Sequence, residues 1–161
     1  MKKKILIISY YWPPAGGPGV QRWLKFAKYL PEFNMTPVLF VPENANYPIK
    51  DNSLNLEVSK DLEVIKLPIF ELSAFLPRLK SFNSIRSGNI SKNKNQSILK
   101  KVFFFIRGNF FIPDMKKFWK RNSVNFLENY ISENNIETIV TTGPPHSLHL
   151  IGLELKRKLH I

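Results

Sequence analysis

Cysteine is absent from all 161 residues, which removes any disulfide framework and any thiolate metal site. This usage is compatible with a reducing compartment, and a cytoplasmic location is expected. Histidine is scarce, with three residues at positions 146, 149 and 160. None has the carboxylate neighbours and spacing of a recognisable metal site, so no metal is expected. Long apolar runs are missing too: nothing approaches the roughly 20 residues of a membrane span. The apolar stretch after the basic start is too short for a signal-peptide core, and the Trp12–Gly19 segment behind it suits a loop better than a cleavage site. Glycine is sparse, at seven residues. No GxxxxGKS/T pattern occurs, which excludes a P-loop, and the Gly16-Gly17-Pro18-Gly19 run lacks the spacing of GxGxxG.

What is present is a globular composition, 43% hydrophobic and 13% aromatic, in a chain long enough for one domain with a proper core. The formal charge of +12 is unevenly placed. Residues 76–121 hold twelve Lys/Arg against the single acid Asp114, a net +11. Residues 31–72 hold seven acids against three bases. Whatever the basic excess does, it does locally.

Hydrophobic periodicity predicts alternating strands and helices. Lys3–Tyr10 reads as a buried parallel strand. Val20–Leu30 reads as a helix, with Val20, Trp23, Leu24, Ala27 and Leu30 on one face and Gln21, Arg22, Lys25 and Lys28 mostly on the other. Strands are expected at 36–42, 62–67 and 137–142. Helices are expected at 70–79, 97–111 and 115–134, with a last one after Gly143-Pro144-Pro145 running to about Leu159. A Ser-, Asn- and Lys-rich stretch, about 81–96, reads as a mobile linker. The fold class is therefore α/β, a Rossmann-like parallel sheet flanked by helices.

Two loops then leave the carboxyl ends of strands and lead into helix N-termini, Tyr11–Gly19 and Thr141–His146. Ligands of open α/β sheets collect at that edge. Gly16 and Gly17 lack side chains and allow close backbone approach, ahead of the positive end of the next helix. The alternative is a tight connection with no ligand. Thr142 can hydrogen-bond, Gly143 permits close approach, and the two prolines fix the path into the helix. His146 is either a polar contact to a substrate hydroxyl or phosphate, or a solvent-facing residue of the first turn. No carboxylate neighbour marks it as a general base. His149 and His160 read as ordinary helix-face residues.

The segment 97–121 is unusual. Ile98, Leu99, Val102, Phe103, Phe105 and Ile106 cover one broad helical side, with Lys100, Lys101 and Arg107 together opposite and Phe104 the exception. Phe-rich amphipathic character with cations suits a peripheral contact with anionic lipid. The other reading packs the phenylalanines on the sheet and leaves the lysines in water. Nucleic acid is not expected, because no helix-turn-helix, KH or RNP pattern accompanies the charge.

Taken in order, ILIISYYWPPAGGPGVQR, FIPDMKKFW and IETIVTTGPPHSLHLIGLELKRKL resemble the amino-terminal, acceptor-side domain of GT-B-fold glycosyltransferases of family 4. The resemblance covers nearly the whole chain. It implies a retaining, metal-independent transfer of a sugar from a nucleotide sugar, with no further cofactor. The acceptor would be a glycan or lipid-linked molecule, as in cell-surface polysaccharide synthesis at the inner face of a membrane. Gly16 and Gly17 would then lie at the cleft near the donor diphosphate, with Thr142, Gly143 and His146 on its other wall. The family pattern continues beyond His160-Ile161 into a further strand and a carboxyl-terminal domain whose paired glutamates hold the donor. No catalytic residue is assigned within these 161 positions, and the chain alone is expected not to turn over.

Two other readings stand beside this one. The chain could be a stand-alone Rossmann-like nucleotide-binding module, or a non-enzymatic basic module for a membrane surface or nucleic acid.

Overall fold

The computed structural model describes residues 3–70, 105 and 108–161. Four parallel strands form one sheet in the order β3-β2-β1-β4. They are β1 (Lys3–Ile8), β2 (Met35–Pro42), β3 (Glu63–Leu67) and β4 (Thr138–Thr141). Among the described residues the helices that accompany them in full are α1 (Pro18–Tyr29), α2 (Trp119–Glu133) and α3 (Ser147–Leu159). This is the Rossmann-like α/β arrangement that the alternating pattern predicts.

Strands β1 and β2 are the inner pair, and their composition says why. Ile5–Ile8 and Val38–Val41 are continuous apolar runs, buried along their whole length, as a sheet covered on both faces requires. β1 pairs with β2 from Lys3↔Met35 to Ile8↔Phe40 and with β4 from Ile5↔Thr138 to Ile8↔Thr141. β3 is half-buried and pairs on the outer side of β2, from Val38↔Glu63 to Pro42↔Leu67.

Because β2 and β4 lie on opposite sides of β1, the connection from β1 to β2 and the connection from β3 to β4 run in opposite directions across the sheet. Right-handed crossovers then place α1 and α2 on opposite faces. α1 buries Val20, Leu24 and Ala27. Trp119 of α2 stacks on Phe40 with centroids 5.0 Å apart, and both rings are fully buried. α3 packs beside α2 and directly on β4. Gly152 makes that approach possible, since a Cβ there would sit 2.6 Å from Thr141 Cγ2.

Most element bounds fall within one or two residues of the periodicity. β1 stops at Ile8 rather than Tyr10, and the Ser9 hydroxyl folds forward to donate to Tyr11 O at 3.0 Å. The expected helix over 115–134 opens as a 3-10 turn, Met115–Phe118, before α2 begins. Asp114 tightens that turn by accepting from the Lys116 amide at 2.8 Å. Two further 3-10 turns, Leu30–Phe33 and Asn52–Glu57, carry no periodic signal long enough to read. The expected helix at 70–79, the linker at about 81–96 and most of the helix at 97–111 lie outside the described residues; Phe105 and 108–110 are helical.

Candidate functional site

Strand order reverses at β1, so the connections after β1 and β4 leave the same sheet edge side by side and diverge. That is the crevice where open α/β sheets hold ligands. The two connections are tied at their base. The Thr142 amide donates to Ile8 O at 3.1 Å, and the Thr142 hydroxyl donates to Ser9 Oγ at 3.3 Å. Thr142 is buried by this pairing.

Above them opens a cavity of about 310 Å³. Gly16, Gly17, Thr142 and Gly143 all line it, so four of the five expected cleft residues share one space. Tyr11, Trp23, Ile49, Pro48 and Pro144 make its walls largely apolar. Arg22 is the sole charged side chain among the described lining residues.

The glycines play different parts. The Gly16 amide donates to Ile49 O at 3.0 Å, and the Asp51 amide donates to Pro14 O at 2.8 Å. An antiparallel bridge between Ala15 and Lys50 joins the two loops there. A Cβ on Gly16 would stand 3.0 Å from Ile49 Cγ2, so this glycine serves close loop packing. Gly17 has φ 109° and ψ 168°, a conformation reserved for glycine, with open space around its Cα. It is the N-cap of α1, Pro18 follows, and the first turn holds no acid and no side-chain cap. Among the described residues the Gly17 and Gly19 amides have no hydrogen-bond acceptor. The positive end of α1 thus meets the cavity unneutralised, with Arg22 one turn further on.

The α3 end is different. Asp114 reaches across from the chain ahead of α2, accepting from the Ser147 amide and the Ser147 hydroxyl, each at 2.8 Å. The carboxylate occupies the place an anionic ligand would take at that helix.

His146 stands at the start of α3 and is exposed, outside the cavity lining but against Gly143, where a Cβ would lie 3.1 Å from its Nδ1. His149 stands nearby, with ring centroids 5.8 Å apart. Its Nδ1 shares a hydrogen bond of 2.8 Å with Thr141 Oγ1. The expected surface residues Lys100, Lys101 and Arg107 lie outside the described residues. Among the described residues no group of three or more His, Asp or Glu side chains is arranged to hold a metal ion, and no helix is long and apolar enough to cross a membrane.

Sequence reasoning missed Arg22, Trp23 and Ile49 as cavity residues. Arg22 sits on the polar face of the helical wheel and Trp23 on its core face, so neither points to a cavity in sequence. Only the bridge to Lys50 brings Ile49 to the glycines.

No family model, curated protein or solved structure matches the chain.

Proposed function

We propose that the chain is the acceptor-side domain of a retaining, GT-B-type glycosyltransferase, which moves a sugar from a nucleotide sugar to a glycan or lipid-linked acceptor. The observation that carries this reading is the meeting of two βα loops over one cavity at the strand-order reversal. An uncapped helix N-terminus and Arg22, the one charged side chain among the described lining residues, face that cavity. Open amides of Gly17 and Gly19 suit the oxygens of a diphosphate. The apolar walls at Trp23, Ile49 and Pro144 suit a ring or chain attached to it. The resemblance of the three sequence segments to family 4 supports the same assignment.

In this reading a second domain supplies most of the donor contacts, so the chain alone binds nucleotide weakly and does not transfer sugar. The test is a titration of the labelled chain with uridine and guanosine diphosphates and their sugars, followed by amide resonances. Saturable shifts at Gly17, Gly19, Arg22, Thr142 and Gly143, with Kd on the order of millimolar, are expected. Submicromolar binding would favour a self-sufficient nucleotide module instead. Shifts confined to other parts of the sheet, or none, would overturn the assignment of the cavity.

A further inference from the structure

α1 is amphipathic, but its outer side is not simply polar. Phe26, Tyr29 and Phe33 are 49%, 46% and 69% exposed, although the rest of the helix buries its apolar residues against the sheet. Their spacing lines them up along α1 and the Leu30–Phe33 turn. With Leu30, Arg22 and Lys25 they enclose a shallow basin of about 400 Å³. Cations edge this stripe. Arg22 lies over the Trp23 ring at 5.7 Å and Lys28 over the Tyr29 ring at 5.6 Å. Lys25 is already paired with Glu57, and Glu32 is the acid of the turn itself.

We propose that this face of α1 and the Leu30–Phe33 turn docks on the surface of an anionic lipid bilayer. Phenylalanine and tyrosine rings bury favourably at the boundary between headgroups and acyl chains, while long basic side chains lie along the apolar surface and hold their charge at the phosphates. Arg22 and Lys28 have that disposition here, each stretched over an aromatic ring. Arg22 and Lys28 complement a surface of phosphates, which attracts basic side chains held close to it. Arg22 also lines the cavity above the glycine loop. A bilayer seated on the stripe therefore lies beside the mouth of that cavity. The proposal does not rest on glycosyl transfer, and its test contains neither nucleotide nor sugar.

The experiment is co-flotation of the chain with vesicles of phosphatidylcholine alone and of phosphatidylcholine mixed with phosphatidylglycerol. Binding to the mixed vesicles only, weakened by added salt, is expected. Phe26→Ser with Phe33→Ser should weaken it at least about ten-fold, since both rings lose their place at the apolar boundary. Arg22→Gln with Lys28→Gln should weaken it comparably. Both side-chain pairs are exposed, so thermal unfolding of each variant should match the parent, which separates loss of binding from loss of fold. Equal binding to pure phosphatidylcholine, or no vesicle binding at all, would overturn the proposal. So would full retention by both variants while substitution of Lys100, Lys101 and Arg107 abolishes binding.

Discussion

The carboxylate of Asp114 holds Ser147 by both its amide and its hydroxyl, at 2.8 Å each, across 33 positions of sequence. The same carboxylate accepts from the Lys116 amide. One side chain therefore caps two helical starts and joins the turn before α2 to the loop that walls the cavity. Replacement by alanine should cost about 1–2 kcal/mol for the lost cap alone. Chemical denaturation measures that loss. Asp114→Asn, which keeps an acceptor oxygen, should recover part of it.

Gly17 and Gly19 make opposite predictions two residues apart. Gly17→Ala forces a side chain into φ 109° and should destabilise by about 1–3 kcal/mol. Gly19→Ala places a good helix former in a helical first turn with open space around it. Its stability should stay level or rise by up to about 1 kcal/mol. Denaturation midpoints of the two variants, compared directly, test whether backbone geometry or mere crowding demands the first glycine.

Gly152 and Thr141 form a steric pair. Gly152→Ala should cost about 1–3 kcal/mol, because the new methyl meets Thr141 Cγ2. Thr141→Ser removes that methyl while keeping the Oγ1 that shares a hydrogen bond with His149. The double variant should therefore be more stable than the two single losses added together. A double-mutant cycle by thermal unfolding reads the difference.

Lys120 and Glu154 connect α2 to α3 at 2.6 Å. The hydrogen bond from Lys120, followed by its charge, holds the Glu154 carboxyl below its ordinary value of 4.5. A depressed carboxyl stabilises the fold above the unfolded value, and that contribution fades as pH falls through the folded value. Glu154→Gln should thus lower stability slightly at neutral pH. The gap to the parent should close once pH drops below about 4.5 into the depressed range. Denaturation midpoints of both proteins from pH 7 down to pH 3 test the convergence.

Legibility in the sequence followed the range of the interaction. The buried runs Ile5–Ile8 and Val38–Val41, and the Val20–Leu24–Ala27 face, declare themselves through local period, so the parallel sheet and its helices could be read directly. The convergence of Gly16, Gly17, Thr142 and Gly143 followed from one topological rule about strand ends. The contacts that needed two distant segments were not legible. Asp114 gives no sign of capping α3, and Ile49 gives no sign of clamping the Gly16 amide. His146 followed the expected loop yet stands outside the cavity lining. Exposed Phe26 and Tyr29 were hidden by a different cause. A helical wheel tells which side faces the core and says nothing of what leaves the outer side bare.

The strand order has a consequence in time. β1, β2 and β3 all lie within the first 67 residues, so three strands of the sheet can assemble from an early stretch of nascent chain. The fourth cannot. Thr138–Thr141 joins β1 from far down the polypeptide, after the whole basic segment has been made. Until then one long edge of β1, with its buried apolar run Ile5–Ile8, waits without its neighbour, and the loops on either side of the cavity have no common floor. The fourth described strand and the second wall of the cavity therefore become available together, late in synthesis, and until then the open β1 edge is a place where a competing strand would pair.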